Sequence, residues 1–113
     1  MANTFKMATK SSVVTDAVSS ANSNVLTAGG SSTLILLSVL VSNNGSNTAN
    51  VDAYVVTNSG DDVYLLKGVP IPAGSSLELI SGSKIIMEAS DVLRIRADTA
   101  TTLDATVSYL DQT

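Results

Sequence analysis

The sequence contains no cysteine, no histidine and no tryptophan. Without cysteine there are neither disulfides nor thiolate metal sites, so packing and hydrogen bonds must hold the fold. Without histidine, the commonest general base and the commonest transition-metal ligand are both missing, which removes Ser-His-Asp chemistry and most zinc sites. Charge is also scarce: Asp, Glu, Lys and Arg make up only 14% of the 113 residues, well below the quarter usual for a soluble domain. The six cations are scattered and the net charge is −4. That balance argues against binding nucleic acid or an anionic membrane, both of which attract basic surfaces. No long apolar run follows Met1, so neither a signal peptide nor a membrane anchor is visible, and synthesis in a cytoplasm is expected.

What remains is β-branched residues in short runs, separated about every ten residues by Gly, Ser, Asn and Asp. No run has helical periodicity. The pattern predicts one all-β domain, an antiparallel β-sandwich of eight or nine strands with jelly-roll or immunoglobulin-like connectivity. Residues 1–24 read as an N-terminal strand and polar arm, and 25–113 as the sandwich. A first strand is expected near Thr4 to Lys10, another at Val13 to Val18, and the strongest from Thr33 to Ser42.

That strongest strand is apolar on both sides. Strict period two puts Ile35, Leu37, Val39 and Val41 on one face and Leu34, Leu36 and Leu40 on the other. A two-layer sandwich covers one face of each sheet, so the second apolar face needs a cover: the chain's own arm or another subunit. Phe5, Met7, Val13, Val14, Leu34, Leu36 and Leu40 are the candidate assembly contacts.

Turn chemistry fills in the connections. Asn44-Gly45 predicts a tight hairpin into the strand at Ala49 to Thr57, and Asn58-Ser59-Gly60-Asp61 turns the chain again. Pro70 and Pro72 make Gly68 to Gly74 an extended crossing segment. Asp91 to Asp98 and Thr102 to Leu110 read as a hairpin with Arg96 facing Asp104, and with Leu93, Ile95, Leu103, Ala105, Val107 and Tyr109 in the core.

Few residues suggest chemistry. Asp61 and Asp62 are hard oxygen donors for calcium, but the Asp-x-Asp-x-Asp-Gly spacing is absent and a polar turn explains them. Glu78 and Glu88 read as solvated strand faces, since a glycosidase cleft needs aromatic stacking and the chain has one Phe and three Tyr. The glycine turns lack phosphate-loop spacing. No catalytic residue, cofactor or metal site follows, and the chain reads as no enzyme.

The stretch Tyr64-Leu65-Leu66-Lys67-Gly68-Val69-Pro70-Ile71-Pro72-Ala73-Gly74-Ser75-Ser76-Leu77-Glu78-Leu79, with Lys84 to Arg96 and Leu103 to Leu110, resembles small virion structural proteins of tailed bacteriophages. The likeness spans roughly residues 33 to 110 and leaves the arm unmatched. Ser90 departs from it, standing where glycine is expected before Asp91. The resemblance implies a β-sandwich carried in many copies on a virion and assembled in the host cytoplasm. As a head decoration or cement protein it would be a homo-oligomer, with the major capsid protein as partner. A neck, tail or baseplate component is the alternative, and a carbohydrate-binding module on a host-facing fibre, using Tyr54, Tyr64 and Tyr109, is a third reading.

Overall fold

The computed structural model describes residues 3–10, 24–80, 85–98 and 103–112. Nine strands follow in order: β1 (Asn3–Lys10), β2 (Asn24–Thr27), β3 (Thr33–Asn43), β4 (Ala49–Val56), β5 (Asp62–Ile71), β6 (Ser76–Glu78), β7 (Ile85–Met87), β8 (Val92–Ala97) and β9 (Leu103–Gln112). They form two antiparallel sheets. The first runs β1-β9-β3-β6, with β7 also pairing β3, and the second runs β2-β8-β4-β5. The sequence-based expectation of an all-β sandwich with eight or nine strands holds.

Nearly every connection crosses from one sheet to the other. Only β4 to β5 turns back within a sheet, while β6 and β7 lie along β3 as one interrupted strand position. Counted that way, eight positions in the order 1-9-3-(6,7) and 2-8-4-5 make two interlocked Greek keys, the order of a jelly roll. An immunoglobulin sandwich would keep its last two strands side by side in one sheet. Here β8 and β9 lie in different sheets.

This corrects two expected hairpins. Asn44-Gly45 does not join paired strands, because β3 and β4 belong to opposite sheets. Its turn is instead anchored by Asn43, whose Oδ1 accepts the Gly45 amide at 2.9 Å and whose Nδ2 donates to the Asn47 and Ile71 carbonyls at 2.9 and 2.8 Å. Nor does β8 pair with β9: Arg96 faces Asp52 on β4, while Asp104 faces Ser42 on β3. The side-chain alternation expected for both strands survives, since it depends on which sheet face is covered and not on which strand is the neighbour. Leu93, Ile95, Leu103, Ala105 and Val107 are buried as expected.

The β4–β5 hairpin turns at Asn58 to Gly60, where Gly60 has φ +94°. Strand β5 extends through Pro70, further than the prolines suggest, because it is a sheet edge where a missing amide proton is tolerated. β1, expected near Thr4 to Lys10, is a strand of the first sheet paired with β9 along its whole length, while the strand expected at Val13 to Val18 lies outside the described residues.

Ser90 adopts a left-handed φ of 70° in the β7–β8 turn, the conformation that favours glycine. The turn keeps it there through Ser90 N–H donating to the Ala28 carbonyl and Ala28 N–H donating to the Asp91 carbonyl, at 3.1 and 2.9 Å. Ser90→Gly should therefore stabilise the protein by about 0.5–1 kcal/mol, after allowing for the freer unfolded chain. Calorimetry would show a melting temperature higher by about 2–6 °C. An unchanged or lower value would mean the turn imposes no strain.

Candidate interaction surface

The outer face of the first sheet is set by one irregularity in β3. Leu36 pairs with Tyr109 but Ser38 pairs with Ser108, so Leu37 is an extra residue and the strand bulges there. The bulge shifts the alternation by one. Leu34 and Leu36 upstream and Val39 and Val41 downstream all turn inward, 0 to 2% exposed, while Ile35 and Leu40 turn outward. Glu78 stabilises the irregularity: one carboxylate oxygen accepts the Val39 and Ile80 amides at 3.0 and 3.3 Å, and the other accepts the Ser38 hydroxyl at 2.8 Å. Glu78 is thus a structural acceptor rather than a purely solvated side chain.

Of the expected contact residues, Leu34 and Leu36 are core and are withdrawn as contacts, because the bulge places them on the covered face. Phe5 and Met7 are 76% and 66% exposed, and Leu40 is 38% exposed. Val13 and Val14 lie outside the described residues.

The register then aligns residues across the sheet. Phe5 pairs with Leu110, Leu110 with Ile35, and Ile35 with Ile86. Directly paired residues share a face, so these four make one apolar row across β1, β9, β3 and β7, open to solvent at both ends, with Ile86 61% exposed. Met7 follows beside Ser108 and Ser38, then Thr9 and Thr106 beside Leu40. Carboxylates in the paired rows of this face appear only beyond the apolar row, at Glu78 opposite Leu40 and Asp104 opposite Ser42.

Ile35, Ile86 and Leu110 were not anticipated as surface contacts. Alternation along β9 could have found Leu110, whose neighbours Tyr109 and Val107 read as core. Ile35 could not be found, since every residue around it is apolar and the bulge leaves no trace in that pattern.

The outer face of the second sheet is polar and internally tied. Arg96 pairs with Asp52 at 2.7 Å, and the other Asp52 oxygen accepts the Gly68 amide at 2.7 Å. Arg94 Nε donates to Asn24 at 2.7 Å. Tyr54 points to this side yet is fully buried, its ring tilted against Tyr64 with centroids 5.1 Å apart, and Lys67 lies 5.2 Å over Tyr64. With Tyr54 buried, and Tyr109 half-buried on the first sheet's inner side, the three tyrosines do not form a common platform.

Burial pushes the Tyr54 phenol above its ordinary value of 10.0. Below that value the phenol is neutral folded or unfolded. Above it the unfolded chain ionises first, so stability falls as pH rises through about 10 and onward to the folded value. Denaturation midpoints measured between about pH 9 and 11 should fall less steeply for Tyr54→Phe than for the parent. Equal slopes would mean that Tyr54 carries none of the alkaline sensitivity.

Two further carboxylates have structural partners. Asp91 accepts the Asn58 and Glu88 amides at 3.0 and 2.9 Å, joining two turns, and Asp98 accepts the Asn50 amide at 2.8 Å. Asp61 sits in the β4–β5 turn with its amide on Thr57 Oγ1 at 3.2 Å. Among the described residues, no three Asp, Glu, His or Cys side chains gather as a metal-binding group, and there is no pocket. What the geometry offers is an open apolar row on the outer face of the first sheet. Neither the models of known protein families nor the curated protein sequences match this chain.

Proposed function

We propose that this protein is a non-enzymatic virion structural subunit, a head decoration or cement protein that seats the outer face of its first sheet on the major capsid protein. The observation that carries the docking role is the solvent-open row Phe5, Leu110, Ile35 and Ile86 across four strands. The virion setting rests on the likeness of residues 33 to 110 to phage structural proteins. Monomers rarely leave such a contiguous apolar stripe open without a use. At about 25 cal/mol per Å², a few hundred Å² of apolar contact gives several kcal/mol before ordering costs, enough when many copies act together. The low charge of the chain suits dry contact with neighbours, because few ions need desolvation.

Ile86→Asp should leave folding unchanged while weakening co-sedimentation with particles lacking the protein by about tenfold or more. Val63→Asp, at a residue 51% exposed on β5 in the other sheet, should bind as the parent does. Immunogold labelling of intact particles locates the subunit. Label over the whole head agrees with decoration, label at one vertex or the tail would move the protein to the neck, tail or baseplate, and absence from particles would overturn the virion role.

A further inference from the structure

Sheet edges are hazards, since each exposes unpaired backbone groups that another strand can join, and proteins blunt them with short strands, bulges, proline or charge. Three of the four edges here are blunted. β2 has four residues and an irregular register. β5 carries two register shifts, Gly68 at φ +65°, Pro70 and the charges Asp62 and Lys67. The fourth position of the first sheet is broken into β6 and β7, three residues each. β1 differs from all of them. It runs eight residues in unbroken register with β9, contains no proline or glycine, and shows Phe5 and Met7 to solvent. Of its two lysines, Lys10 is its last residue, and Lys6 is drawn back over its own sheet by an ion pair with Asp111 at 3.1 Å, which raises the Lys6 pKa through that hydrogen bond and the Asp111 charge.

Among the described residues no strand pairs with the outer edge of β1, and we infer that it is an assembly edge whose occupant is β1 of a second copy, paired antiparallel about a two-fold axis. An open edge selects an extended strand rather than a helix or a small molecule, because only a strand satisfies a row of alternating donors and acceptors. Self-pairing is also chemically consistent in one register. A two-fold axis perpendicular to the sheet keeps each face on its own side, so it must pass through a residue. Centred on Lys6, it would set two cations opposite each other. Centred on Phe5, it would pair only residues 3 to 7. Centred on Met7, it pairs residues 4 to 10, with Met7 on Met7 and Phe5 on Thr9 of the partner, and Lys6 faces Ala8 rather than another charge. The two first sheets would then form one continuous sheet, bringing the apolar rows of both copies onto the same side. The pairing does not depend on the virion role or on what that face binds.

The contact is small, so association is expected to depend on concentration. Sedimentation equilibrium of the full chain from about 1 µM to 1 mM should show the mass rising from the 11.6 kDa chain toward twice that value. Met7→Lys should hold it at the monomer mass, and an equimolar mixture of Met7→Lys and Met7→Glu should recover the dimer. Because the chain has no cysteine, a single introduced thiol reports geometry. Met7→Cys should oxidise readily to a linked dimer, whereas Ile86→Cys, on the same face but the far side of the sheet, should not. A monomer at every concentration overturns the inference, as does a dimer linked through position 86 or through neither position. Particle co-sedimentation, measured separately, would stand or fall without regard to either result.

Discussion

Asn43→Leu is expected to lower the unfolding free energy by about 3 kcal/mol. Asn43 is the buried polar side chain among the described residues, 1% exposed. Its amide makes three bonds, to the Asn47 and Ile71 carbonyls and from the Gly45 amide. Its backbone is equally committed, with the amide donating to Ser75 at 2.8 Å and the carbonyl accepting from Gly74 at 3.0 Å. One residue thus ties the β3–β4 crossing to the β5–β6 crossing. Leucine fills nearly the same volume, so the loss comes from hydrogen bonding, at about 1 kcal/mol for each of three bonds and more if the stranded groups stay dry. That is a large part of the about 5–15 kcal/mol that holds a domain folded. A urea titration would show a lower midpoint at unchanged slope. Asn43→Asp should be at least as damaging at neutral pH, because it aims acceptors at two carbonyls, and should recover partly on acidification, when the carboxyl regains a donor. A loss under about 1 kcal/mol for the leucine variant would show that water replaces the side chain.

The second large effect separates two adjacent residues. Leu36→Ala should cost about 2–5 kcal/mol, the range for truncating a core leucine, while Ile35→Ala should cost about 1 kcal/mol or less. The contrast arises from the Leu37 bulge, which keeps Leu36 on the same covered face as Val39. Strict alternation from Val39 backwards would invert it, with Ile35 in the core. Urea midpoints for the two variants therefore read the register directly, and equal or reversed losses would remove the bulge and the apolar row that depends on it.

Much of the architecture was legible because burial writes itself into alternation. Strands β4, β8 and β9 show their inner residues two apart, and those positions are buried. The partners of those strands were not legible. Alternation reports which face is covered and says nothing about the neighbour, so proximity in sequence points Arg96 to Asp104, whereas it lies beside Asp52. Asn44-Gly45 misled for a related reason: hairpin chemistry in a turn is permissive, and the buried amide of Asn43 and the opposite sheet decide where the chain goes. On the candidate surface, Phe5 and Met7 could be read because they alternate with Lys6 between them. Ile35 could not, because Leu34, Ile35, Leu36 and Leu37 are all apolar and an extra residue among them leaves the pattern looking the same. The left-handed turn at Ser90 was visible only as a serine where glycine was expected.

The place of β9 between β1 and β3 has a consequence for biosynthesis. Lys6 meets Asp111 across 105 positions of chain, and neither β1 nor β3 has its central partner until that late strand exists. A chain growing on a ribosome can close the β4–β5 hairpin early, but the first sheet must wait. Pairings this distant close slowly because the intervening chain must first surrender its freedom. In the interval β3 has only the short β6 and β7 to pair with, and its other edge stands open to whatever binds nascent β-segments. Synthesis rate and chaperone supply would then bear on how much of this protein reaches its folded form.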